Sequence, residues 1–90
     1  MTALLNHLDE QDWLVRTARR PGMPPEKLIS GLRDAMVEVQ ALLAGRPNDD
    51  FLDADFILTE TIAAYEKHPT LLGVSEIGNA LVGYRSAATS

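Results

Sequence analysis

A chain of 90 residues with 46% hydrophobic and 23% charged side chains has the make-up of a folded domain, which excludes a disordered or fibrous chain and leads us to expect one domain over residues 1–90. The absence of cysteine excludes a disulfide framework and thiolate-held zinc, and it fits a reducing, cytoplasmic setting. The net charge of −5 comes wholly from the second half: residues 47–90 carry seven acidic and two basic side chains, residues 1–46 six of each, so phosphate backbones and anionic membranes are disfavoured as partners.

The opening MTALLNHLDE has neither the basic start nor the apolar run of a signal peptide, and no stretch nears the ~20 apolar residues needed to cross a bilayer. The spacing predicts a first helix from about Thr2 to Arg20, stopped by Pro21-Gly22. Its apolar stripe is Leu4, Leu8, Val15 and Ala18, which turns Trp13 outward among Asn6, Asp9, Thr17 and Arg20. The competing reading breaks this helix near Asp9 to Asp12 and sends Trp13 into the core. Arg16, Arg19 and Arg20 suit the negative end of the helix dipole, with Asp12 and Arg16 one turn apart as a pair; the same trio could clamp an oxyanion.

Met23-Pro24-Pro25-Glu26 predicts the start of a second helix, with Pro25 at its first position and Met23 stapled on Leu28. It should run to Gly45, ahead of Pro47. Leu28, Leu32, Ala35, Val39 and Leu42 form its seam, widened by Ile29, Met36 and Leu43.

Asn48-Asp49-Asp50 offers short acceptors to the bare amides of a third helix, which closes at Lys67-His68-Pro69. This helix has two apolar stripes. Phe51, Ala54, Leu58, Ile62 and Tyr65 can face the core, and nearly opposite them Leu52, Phe56 and Ala63 need a second cover. The fourth helix is expected to be short, capped by Ser75 and facing the core with Val74, Ile77, Leu81 and Tyr84. Gly78 and Gly83 weaken it or admit a close neighbour, and residues 86–90 form a loose tail. The expected fold is all-α: a small antiparallel bundle of three long helices plus one short C-terminal helix.

Asp49, Asp53, Asp55 and Glu60 resemble an EF-hand calcium loop in spacing, yet Phe51 cannot ligate and Ala54 replaces the turn glycine, so they read as helix-start carboxylates. Leu72-Gly73-Val74-Ser75 with Leu81-Val82 resembles the turn and second helix of a helix-turn-helix reader within residues 63–85. Pro69, Asn79 and the lone basic Arg85 depart from that pattern. His7 and His68 lack companion ligands, and no nucleophile stands beside a base, so no catalytic residue, metal or cofactor is assigned. The expectation is a non-enzymatic protein-binding module, an adaptor, inhibitor or assembly factor, whose partner is another protein or a second copy of itself. Its interface residues are Trp13, Arg20, Leu52 and Phe56. The rival classes are a DNA-binding regulator using Arg16, Arg19, Arg20, Lys27 and Arg33, and an enzyme with a dispersed site.

Overall fold

The computed structural model describes residues 2–20, 22–45 and 48–90. The stop assigned to Pro21 and the proline at 47 lie outside the described residues. Four helices follow in order: α1 (Thr2–Ala18), α2 (Pro25–Leu43), α3 (Asp49–Lys67) and α4 (Leu71–Thr89). No strand occurs among the described residues, so the fold is all-α.

Local chemistry accounts for the boundaries. Gly22 takes φ 114°, a left-handed conformation open to glycine at little cost, in the connection after α1. Pro25 occupies the first turn of α2, where its missing N–H removes no helical hydrogen bond. The Asn48 side chain accepts from the amides of Asp50 at 3.0 Å and Phe51 at 3.3 Å, which satisfies two of the bare donors at the start of α3.

The fourth helix corrects the expected outline. Its cap is Thr70, whose hydroxyl accepts from Gly73 N at 3.0 Å, so Ser75 lies inside the helix. With 19 residues, α4 equals α2 and α3 in length and is not short. Nor is its end a loose tail. Ala88 is buried, Thr89 Oγ1 donates to Arg85 O at 2.9 Å, and Asn48 Nδ2 donates to Ala87 O at 3.2 Å, tying the last turn to the start of α3.

One hydrophobic cluster draws on all four helices, centred on Leu8, Leu28, Leu32, Val39, Leu58, Ile62, Ile77 and Tyr84. α1 packs on α2 and on α4, and α3 packs closely on α4 and more sparsely on α2. Close approach is built into both α1 interfaces. A Cβ on Gly31 would come within 2.8 Å of Leu14 Cδ1, and one on Gly78 within 2.9 Å of Arg19 Nη2 and 3.4 Å of Val15 Cγ1. Phe51 and Tyr84 meet inside with ring centroids 5.2 Å apart, linking the buried faces of α3 and α4.

Three expectations about faces change. Leu42 is exposed and Leu43 is half-buried, because a straight helix drifts about 20° per heptad from a strict four-three seam, and two heptads separate Leu28 from Leu42. Gln11 fills the gap in the stripe of Leu4, Leu8 and Val15 and is 1% exposed. Asp12 bonds Arg85 Nη1 at 3.0 Å across to α4, rather than Arg16 one turn away.

Candidate functional site

The helical period divides each helix into a face that enters the core and a face that does not, and the outward faces differ in what they carry. On α1 the helix is unbroken through Asp9 to Asp12, and Trp13 is 55% exposed. Arg20 follows the helix end and is exposed too. On α3 the inward stripe of Phe51, Leu58, Ile62 and Tyr65 is buried. The opposite stripe is open: Leu52 is 60% and Phe56 64% exposed, with Ile57 beside them also in water.

The four expected interface residues do not form one patch. α1 and α3 each pack against α2 and α4, which puts them at opposite corners and turns their outer faces away from each other. Trp13 and Arg20 therefore mark one surface and Leu52 and Phe56 another. The α3 surface has more built around it. Asp49, Asp53 and Glu60 are exposed at helical spacing from Phe56 and ring it with negative charge. Leu52 also forms one wall of a groove of about 400 Å³ where the end of α2 meets the start of α3, lined by Leu43, Phe51, Gln40 and Asp55. Polar side chains bridge the rim of this seam. Gln40 Nε2 donates to Asp55 Oδ2 at 2.8 Å, and Arg33 pairs with Glu66 at 3.2 Å. Exposed pairs of this kind contribute on the order of 0–1 kcal/mol.

Of the basic residues that a nucleic-acid reader would need, Arg16, Arg19, Arg20 and Lys27 are exposed, the first three within five residues at the end of α1, whereas Arg33 and Arg85 are engaged by carboxylates. Arg85 Nη1 lies 2.9 Å from Asp9 Oδ1 and 3.0 Å from Asp12 Oδ2, and Arg33 is held by Glu66. Leu72, Gly73, Val74 and Ser75, where the helix-turn-helix resemblance placed a turn, are helical. Residues 49–60 are likewise continuous helix, so the acidic spacing makes no calcium loop. Among the described residues no group of three or more His, Cys, Asp or Glu is placed to hold a metal ion. No described helix is long and apolar enough to cross a membrane.

One polar cluster lies inside. The Gln11 carboxamide and the Tyr84 hydroxyl are buried with no partner in hydrogen-bond geometry. Burial raises the Tyr84 phenol well above the ordinary tyrosine value, the Asp55 carboxylate raises it further, and the nearby Gln11 side chain acts in the opposite sense. This arrangement holds Tyr84 neutral and supplies no base or nucleophile. Sequence reasoning missed Gln11, though its four-three spacing with Leu8 and Val15 was a signal.

The chain matches no family model, and no curated protein and no solved structure is significantly similar to it.

Proposed function

We propose that this chain is a non-enzymatic protein-binding module, an adaptor, inhibitor or assembly factor, that docks an amphipathic helix of its partner along the outward face of α3. The observation that carries the reading is the pair Leu52 and Phe56, 60% and 64% exposed on the side of α3 opposite its buried stripe. Large apolar side chains held in water on a rigid helix favour association, at about 1.5–3 kcal/mol for each one fully buried, set against the cost of immobilising two bodies. The carboxylates of Asp49, Asp53 and Glu60 around them select the partner's charge: apolar anchors three and four residues apart, flanked by lysine or arginine.

An antiparallel order of the four helices is part of this reading. Across α2 and α3 Arg33 meets Glu66 while Gln40 meets Asp55, and across α1 and α4 Asp12 meets Arg85 while Arg19 lies against Gly78. In each case rising numbers on one helix meet falling numbers on the other. That order sets the acidic start of α3 beside the end of α2, where the groove next to Leu52 can take an anchor. Trp13 and Arg20 form a second, separate contact surface.

Affinity capture tests the reading. Wild-type, Phe56→Asp and Leu52→Asp proteins, each verified as folded by its helical circular dichroism, serve as baits in an extract of the native host. A protein retained by wild type and lost from both variants supports the α3 surface. Identical retention by all three contradicts it.

A further inference from the structure

Charge on α1 changes sign once along the helix. Its acidic side chains, Asp9, Glu10 and Asp12, all precede Trp13, and its basic one, Arg16, follows, with Arg19 and Arg20 just beyond the helix end. Asp9, Trp13, Arg16 and Arg20 are exposed and stand four, three and four residues apart, so they form one outward stripe with the indole between its acidic and basic parts. Trp13 is 55% exposed and is the only tryptophan of the chain.

The ion pairs around the stripe decide what it can still bind. Asp9 Oδ1 lies 2.9 Å from Arg85 Nη1, yet the Asp9 side chain is 64% exposed, so its carboxylate keeps room for a second cation. Asp12, at the edge of the stripe beside Trp13, is half-buried and is offset by the same arginine at 3.0 Å. Arg16 makes no ion pair among the described residues.

We propose that this stripe is a self-association surface, on which α1 of a second copy lies antiparallel about a twofold axis at Trp13. Charge selects the occupant. The antiparallel copy lays its basic half on the acidic half of the first, so Arg16 of each copy meets Asp9 of the other, and the two indoles cover each other between these pairs. The axis passes where the charge changes sign. The two copies of Arg16, and likewise those of Asp9, therefore stand about 9–12 Å apart along the helices at 1.5 Å per residue, each facing its opposite. At one edge Glu10 lines a groove with Asp34 and Glu38 of α2, and the arginine half of the copy is the part that comes nearest to it. A uniformly basic or acidic partner would match one half of the stripe and be repelled by the other. The outward face of α3, with Asp49, Asp53 and Glu60, matches only the basic half. One helix face on each side lies at the small end of specific interfaces, so the dimer is reversible. The proposal names the occupant of the α1 surface and does not depend on the α3 reading.

Sedimentation equilibrium of the full chain from micromolar to millimolar concentration, read beside the fluorescence of its single tryptophan, tests it. Wild type is expected to pass from monomer to dimer, with the emission moving to shorter wavelength as Trp13 leaves water. Asp9→Arg makes the stripe wholly basic and Arg16→Asp makes it wholly acidic, so each should remain monomeric with unchanged helical circular dichroism. An equimolar mixture of the two should recover a dimer, and so should the chain that carries both substitutions. Phe56→Asp should dimerise like wild type, which separates this surface from the one on α3. A monomeric wild type across the range overturns the proposal. So does a dimer whose formation leaves the emission unchanged, dimerisation of either single α1 variant alone, a doubly substituted chain or a mixture that stays monomeric, or loss of the dimer in Phe56→Asp.

Discussion

α3 presents apolar side chains of the same kind on two sides, and the molecule treats them oppositely. Leu58 and Ile62 are 0% and 1% exposed beneath the neighbouring helices, while Leu52 and Phe56, on the same helix, are 60% and 64% exposed. Intrinsic hydrophobicity does not separate them. What separates them is cover: α4 and α2 close over one side of α3, and no element of the described chain lies over the other. A small domain buries only part of the surface its unfolded chain exposes, so four helices around one core leave an outer side on each. The same contrast recurs on α4, where the inward residues Ile77 and Tyr84 are fully buried and the outward Leu72 and Val82 are not.

The largest effect that can break this comparison is on stability. Leu58→Ala removes methyl groups from a site with no exposed surface and should cost about 2–5 kcal/mol in denaturant unfolding. Leu52→Ala on the opposite side should stay within about 0.5 kcal/mol of wild type. Equal losses from the two substitutions would mean that the outward stripe is core.

A second expectation sharpens the inward side through pH. The folded protein holds the Tyr84 phenol neutral, its pKa raised above the ordinary value of 10.0 chiefly by burial. The sign follows: the contribution to stability is whole below that ordinary value, where the unfolded chain is also protonated, and is lost as pH rises toward the folded value. Wild type should therefore lose stability steeply on the alkaline side of pH 10.0, as followed by circular dichroism. Tyr84→Phe should flatten that drop. An unchanged alkaline limb would show that Tyr84 is not the buried phenol responsible.

A third compares the two sides of α4 through its glycines. Gly83→Ala meets nothing and should raise stability by up to about 1 kcal/mol through helix propensity alone. Gly78→Ala must displace Arg19 Nη2 at 2.9 Å and crowd Val15, so it should gain less or lose. Thermal melts of the two variants give the order.

Much of this arrangement was legible in the residues. Pro25 and Asn48 marked helix starts because their local chemistry acts within a turn, and the stripes of α2, α3 and α4 showed through apolar spacing. The outward placement of Trp13 followed from the register of Leu4, Leu8 and Val15. What escaped depended on partners far along the chain. The extent of α4 is secured by Thr70 at one end and by Asn48, 39 residues from Ala87, at the other, so the glycines alone understated it. Arg85 and Asp12 are 73 residues apart, and nothing local to Asp12 marked that pairing over the nearer Arg16. Gln11 was passed over because its polarity masked a seam position. The separation of Trp13 from Phe56 into two surfaces required knowing which helices are neighbours.

The smallest perturbation of the fold bears most directly on the central claim, that the outward stripe of α3 recognises a basic amphipathic helix. The measurement is a calorimetric titration of an amphipathic leucine–lysine peptide, and of its leucine–glutamate counterpart, into wild-type and Phe56→Asp protein. Phe56→Asp adds a negative charge to an already acidic face, so attraction by charge alone would tighten the lysine peptide's binding. We predict that the lysine peptide binds wild type, that Phe56→Asp abolishes this binding without lowering the melting temperature, and that the glutamate peptide binds neither. Equal or tighter binding of the lysine peptide to Phe56→Asp would contradict the claim.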